Sequence, residues 1–158
     1  MKKIINFLLV FYYLFSFSVV ALEYNPNTPL HFDPEIATGQ LDNGLTYYVY
    51  ENEEPEDVAY LRLVIRAGSL QEDEDQQGLA HFVEHMAFNG SLNFDSGEII
   101  NFLETIGMEY GVHLNASTGY DKTIYKLKIP TDNPAIIKKS ILVLADSAGE
   151  VSFREQAF

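Results

Sequence analysis

The sequence predicts an α+β fold in which an antiparallel or mixed sheet carries its helices on one face. Short runs of β-branched and aromatic residues are punctuated by turn residues. Three other segments repeat apolar residues at helical spacing, and the strand runs fall in pairs along the chain. The composition allows a sizeable core, since 47% of the residues are hydrophobic. No internal repeat or low-complexity tract stands out.

Residues 22–40 are rich in Pro, Asn and Thr and read as an extended lead-in. Asp42-Asn43-Gly44 signals a turn, and the β-rich run Leu45 to Tyr50 follows it. After an acidic turn around Pro55, Val58 to Arg66 (VAYLRLVIR) reads as a buried strand closed by Ala67-Gly68-Ser69. The acidic, Gln-rich stretch from Gln71 to Gln77 reads as a solvated loop. Gly78 then opens a helix that Asn89-Gly90 ends. Asp95-Ser96-Gly97-Glu98 has the spacing of a capping box, and Ile99, Ile100, Phe102, Leu103 and Ile106 continue with helical periodicity up to Gly107 at C′. Two strands are predicted next, over residues 110–118 and 123–129, the second alternating Tyr125, Leu127 and Ile129 with Lys126 and Lys128. Asp132-Asn133-Pro134 caps a last helix, with Ile136, Ile137, Ile141, Leu144, Ala145 and Ala148 on its apolar side. The resulting order, ββα then αββα, suits hairpin-paired strands with helices gathered on one face.

The most informative feature lies in the first helix, in the run GLAHFVEHMAFNG. His81, Glu84 and His85 read H-x-x-E-H. At about 100° per residue, His85 sits about 40° round from His81 and Glu84 about 60° to the other side, so all three project from one face. Two neutral imidazoles there can bind one Zn²⁺, while a carboxylate that is not a ligand can hold and deprotonate the metal's water. This is the reverse order of the commoner H-E-x-x-H zinc-peptidase site. A helix can also carry two histidines at i and i+4 for no catalytic reason. Leu79, Phe82, Val83, Met86 and Ala87 form an apolar stripe, however, and polar groups beside a packed stripe are costly unless something satisfies them. A metal would do so.

Other features bound the function. Met1-Lys2-Lys3 is a basic n-region, Ile4 to Phe15 is almost wholly apolar, and Val19-Val20-Ala21 fits a cleavage site, so residues 1–21 read as a secretory signal in preference to an uncleaved anchor. Removing them takes away two lysines and no acid, moving the formal charge from −13 to −15. Nucleic acid and anionic membranes are therefore poor partners, and membrane contact is expected only through the signal segment. The absence of cysteine excludes disulfides, a thiol nucleophile and lipid attachment at the cut. His31, beside Phe32-Asp33-Pro34, reads as a surface histidine.

Three runs together, NGLTYYV, RAGSLQEDEDQQGLAHFVEHMAFNGS and NASTGYDKTIYKLKIPTDN, resemble the pitrilysin- and insulinase-like zinc peptidases from about Leu41 onward. The resemblance implies a metallohydrolase α+β fold with residues 41–158 forming an N-terminal peptidase domain, incomplete at its C-terminus. It implies a zinc endopeptidase acting on peptides or small unfolded proteins, and together with the signal it implies export across the inner membrane to the periplasm. By that resemblance His81 and His85 are zinc ligands and Glu84 is the general base. Asn115, Ala116 and Ser117 match the edge strand on which an extended substrate adds by main-chain hydrogen bonds. Tyr125 matches the tyrosine of the family's T-x-Y, which a core aromatic explains equally, and His113 is off the pattern and reads as structural or surface.

The family's third ligand is a glutamate about 70–80 residues past the second histidine, which falls at about 155–165 here. Val151-Ser152-Phe153 resembles the loop before the ligand helix, so Glu150 and Glu155 read as loop and first-turn acids. The third ligand is therefore expected beyond Phe158, the remaining peptidase domains are expected on the same or a second chain, and this segment alone is expected to have little or no activity. The alternative is a non-catalytic peptide-binding or scaffold subunit of the same family, which typically lacks an intact H-x-x-E-H. A metal-dependent thioether lyase also uses the motif on a related fold, but it relies on a cysteine.

Overall fold

Alternation and turn chemistry locate the strands in the computed structural model, which describes Pro26 and residues 31–154. The proposed signal segment, residues 1–21, lies outside the described residues, as does Glu155. Among the described residues no helix is long and apolar enough to cross a membrane. The chain divides into two compact units, residues 1–51 and 52–158.

In the first unit, β1 (Ala37–Gln40) and β2 (Thr46–Val49) form an antiparallel ribbon, with Ala37 opposite Val49 and Gln40 opposite Thr46. The Asp42-Asn43-Gly44 turn makes this hairpin. Asn43 Oδ1 accepts from the Leu45 N–H at 3.1 Å, and Gly44, at φ +87°, donates to the Leu41 carbonyl at 2.8 Å. One sequence expectation is corrected here. The extended lead-in ends in a strand of its own, and β2 pairs with that strand upstream rather than with the one after it. Ala37-Thr38-Gly39-Gln40 has no apolar alternation to advertise a strand, and both strands of the ribbon are largely exposed.

The second unit holds a three-stranded antiparallel sheet in the order β3-β5-β4, built from β3 (Val58–Ile65), β4 (Leu114–Thr118) and β5 (Thr123–Pro130). In the central strand β5, Thr123, Tyr125, Leu127 and Ile129 are buried and Lys126 is exposed, the period-2 pattern of a sheet covered on one face. β3 departs from the buried strand predicted. It alternates, with Tyr60, Arg62 and Val64 exposed and the residues between them half-buried. The strand predicted over 110–118 is also shorter than expected. Gly111 at φ +83° and the bond from the His113 N–H to the Glu109 carbonyl (2.9 Å) turn the chain, and pairing begins at Leu114.

Three helices, α1 (Leu79–Met86), α2 (Glu98–Thr105) and α3 (Pro134–Gly149), supply the other layer. Phe94, Ile99, Phe102, Leu103 and Val143 pack with Leu114, Leu127 and Ile129 from the sheet's inner face. α2 ends in a Schellman motif. The Met108 N–H reaches the Leu103 carbonyl (2.9 Å), the Gly107 N–H reaches the Glu104 carbonyl (3.1 Å), and Gly107 takes φ +76°. At its start only half of the expected capping box forms. Glu98 Oε2 accepts from the Asp95 N–H at 3.1 Å, but Gly97 is the N-cap and the Asp95 carboxylate pairs with Arg154 at 3.3 Å.

α3 starts as its sequence predicts, with Asn133 Oδ1 accepting from the Ala135 N–H at 2.9 Å and Pro134 in the first turn. Its buried face is only partly the one predicted, since Ile136 and Ile137 pack against the core but the second half of the helix turns differently. Ser140, Val143, Asp146 and Ser147 are buried, whereas Ile141 is 54% exposed and Ala145 and Ala148 are exposed. The reason is a polar anchor. Asp146 accepts from Ser91 Oγ (2.6 Å), the Asn93 N–H (3.0 Å) and Asn93 Nδ2 (2.8 Å), and this network turns the polar stripe inward.

Candidate metal centre

α1 carries the H-x-x-E-H residues, and its entry is held from the preceding loop. Gly78, at φ +90°, donates to Glu72 Oε2 at 2.8 Å, and the Ala80 N–H donates to Glu72 Oε1 at 2.7 Å. One carboxylate thus meets two main-chain donors at the helix N-terminus, where negative charge is favoured. The bonds from Ala80 and Gly78, in that order, hold the Glu72 carboxyl below its ordinary value of 4.5. The stretch Gln71 to Gln77, expected as a plain solvated loop, therefore contains the cap of the H-x-x-E-H helix and a short 3₁₀ turn, Glu74–Gln76, and a second such turn, Ser69–Gln71, leads into it.

That loop docks on the β4–β5 turn. The Ser69 N–H donates to the Gly119 carbonyl (3.2 Å) and the Leu70 N–H to the Tyr120 carbonyl (2.8 Å). A Cβ at Gly68 would collide with the Gly119 carbonyl oxygen and meet the Tyr120 carbonyl oxygen at 2.8 Å, so only glycine allows the approach. A cleft of about 270 Å³ remains, lined by Glu72, His81, Thr118 and Tyr120 among others.

The three motif residues divide as their helical angles require. His81 and His85 are exposed, while Glu84 is 7% exposed. The two Nε2 atoms lie 3.1 Å apart, with ring centroids 4.7 Å apart. Two imidazole nitrogens bound to one tetrahedral Zn²⁺ at 2.0–2.1 Å stand about 3.3 Å apart, so this pair fits a single ion with almost no movement. Among the described residues, no third His, Asp or Glu joins them. Leu79, expected in the apolar stripe, is 48% exposed; Met86 and Ala87 do the packing.

Glu84 is held from across the unit by a residue that local sequence reasoning did not find. Thr118 Oγ1 donates to Glu84 Oε2 at 2.6 Å. Thr118 Oγ1 also lies 3.3 Å from Thr123 Oγ1, which donates to the Ala67 carbonyl at 3.0 Å. Tyr125 is buried nearby, its hydroxyl pushed up to about 12 by burial and then by the Glu84 charge. It is a core aromatic that also feels the carboxylate.

Asn115, Ala116 and Ser117 lie on β4, an edge strand of the sheet. The bonds from Gly119 N–H to the Lys122 carbonyl and from Lys128 N–H to the His113 carbonyl set the phase of the ladder. Odd-numbered residues of β4 face β5, and the main-chain groups of Ala116 and Thr118 face the free edge. Asn115 Oδ1 accepts from the Ala116 N–H at 2.9 Å. His113 is structural, its Nδ1 accepting from the Glu109 N–H at 3.0 Å, and His31 is exposed.

A helix presenting two convergent imidazoles beside a buried carboxylate, on an α+β domain with an adjacent edge strand, defines an inverted zinc-peptidase type of site. The comparisons agree. Residues 47–158 match the family described as Insulinase (Peptidase family M16), and the chain belongs to that family. It is 44% identical over 144 residues to the "Probable zinc protease PqqL" of Haemophilus influenzae, covering 89% of this chain and 16% of that protein. The "Zinc protease PQQL-like" of Arabidopsis thaliana is 45% identical over 113 residues, covering 72% of this chain and 12% of that protein. Among solved structures, the first half of the periplasmic protease PqqL from Escherichia coli superposes with a TM-score of 0.78 at 36% identity, covering 82% of this chain and 28% of that one. The chain thus spans less than a fifth of the length of these curated relatives.

Proposed function

We propose that this segment is the metal-holding, base-bearing part of a secreted zinc metalloendopeptidase that hydrolyses peptides or small unfolded proteins in the periplasm. The convergence of His81 and His85 Nε2 at 3.1 Å is the observation that carries the reading. It is supported by relatives named zinc proteases and by a structural neighbour described as periplasmic. Residues 1–21, with their basic start and apolar run, support export.

His81 and His85 would hold the ion through Nε2. Zinc bound there supplies Lewis-acid chemistry, bringing the pKa of a water toward neutrality and polarising the scissile carbonyl. Glu84, fixed at Oε2 by Thr118, takes the proton of the attacking water and returns it to the leaving amine. Extended substrate adds to the edge of β4, where Ala116 and Thr118 present main-chain groups and Asn115 Oδ1 accepts from the Ala116 N–H. Ser117 sends its main chain to β5 and contributes its side chain. Among the described residues no third ligand joins His81 and His85, and two imidazoles without one should hold zinc weakly and support little turnover.

The test is zinc content and fluorogenic-peptide hydrolysis of the whole protein. His81→Ala and His85→Ala should each lose bound zinc and reduce turnover to background, and chelation of the native enzyme should be reversed by added zinc. A native protein that binds peptides yet holds no zinc, with or without added metal, would instead establish the scaffold subunit.

A further inference from the structure

We propose that Thr118 is a positioning residue for Glu84, its hydroxyl holding one carboxylate oxygen so that the other is left for the reacting water. The inference rests on Glu84 acting as the base. Glu84 is 7% exposed, and an ionised carboxylate at that burial requires a strong donor. Thr118 Oγ1 supplies it at 2.6 Å, the short distance of a charge-assisted bond. Among the described residues, Glu84 Oε1 has no hydrogen-bond partner, so the two oxygens are differentiated before any substrate arrives.

The direction of the bond follows from counting protons. Thr118 and Thr123 face each other as a ladder pair, their hydroxyl oxygens 3.3 Å apart. Each has one proton. Thr123 donates its proton to the Ala67 carbonyl at 3.0 Å. Thr118 therefore chooses between a neutral hydroxyl oxygen at 3.3 Å and a carboxylate at 2.6 Å, and the carboxylate is the stronger acceptor. A glutamate has three side-chain torsions, and pinning one oxygen fixes the plane of the carboxylate at the cost of a single hydroxyl rotor. Thr118 also turns its main-chain groups to the free edge of β4. One residue thus presents backbone to the substrate strand and a hydroxyl to the base.

A residue serving only to tie β4 to α1 would change thermal stability and leave the chemical step alone. In the whole protein, Thr118→Val removes the hydroxyl and keeps the shape, while Thr118→Ser keeps the hydroxyl. The valine variant should lose about ten- to hundred-fold in kcat with KM and zinc content unchanged, a loss in the chemical step over and above any lowering of the melting temperature. The serine variant should recover most of the loss. Wild-type kcat in the valine variant, a loss carried by KM or by zinc content, or failure of serine to rescue would each overturn the assignment. If the valine variant does not fold, Thr118→Ala against Thr118→Ser gives the same contrast. Glu84→Gln in the same assay separates the two readings. If it is inactive while Thr118→Val is fully active, only the Thr118 assignment falls. If it keeps turnover, the base fails and Thr118 fails with it.

Discussion

His81, Glu84 and His85 were legible because the H-x-x-E-H spacing and the pitch of a helix suffice to place three side chains on one face. Their partners were not. Thr118 lies 34 residues from Glu84 and reaches it only because β4 packs beside α1, a tertiary fact with no local signal. Glu72 was hidden differently, as one acid among several in an acidic run, although only its carboxylate meets the Gly78 and Ala80 N–H groups. Because its folded value is depressed, the stability it lends the start of α1 is fully present above the unfolded value of 4.5. It is lost as pH falls through the folded value. Amide exchange at Gly78 and Ala80 should therefore quicken relative to the rest of α1 as the solution is acidified into that range. Glu72→Gln should show faster exchange already at neutral pH, with no further acid-dependent step.

At the scale of elements, the strands and helices whose burial follows sequence periodicity were predicted correctly, and the discrepancies share a cause. α2 and β5 put their apolar residues where the pattern says, because those residues meet the core directly. The second half of α3 does not, since Asp146 is buried with Ser91 and Asn93 as its donors and the apolar Ile141 is left exposed. β1 was missed because its residues show no apolar alternation to read, and both strands of its ribbon are largely exposed. The Asp146 anchor can be measured. Asp146→Ala leaves the Ser91 hydroxyl and the Asn93 N–H without their acceptor in a buried site, and should destabilise the domain by about 3 kcal/mol in denaturant unfolding. Ile141→Ser, on the exposed side of the same helix, should fall within about 0.5 kcal/mol of wild type in the isolated unit.

For the whole molecule, membership of the insulinase family sets the frame within which the proposed residue roles are to be tested. The sequence has no cysteine and so offers no thiol nucleophile. The segment brings together two convergent imidazoles, a buried carboxylate and a sheet edge, and it covers 16% of a curated zinc protease relative. The central claim is that Glu84 performs the proton transfer while His81 and His85 hold the ion, and it separates metal binding from turnover. The direct test is zinc content and peptide hydrolysis measured on one preparation of the whole protein carrying Glu84→Gln. The account predicts zinc retained at the wild-type level and turnover lowered by about 10²–10⁴-fold. Wild-type turnover with zinc retained, or loss of the zinc itself, would contradict it.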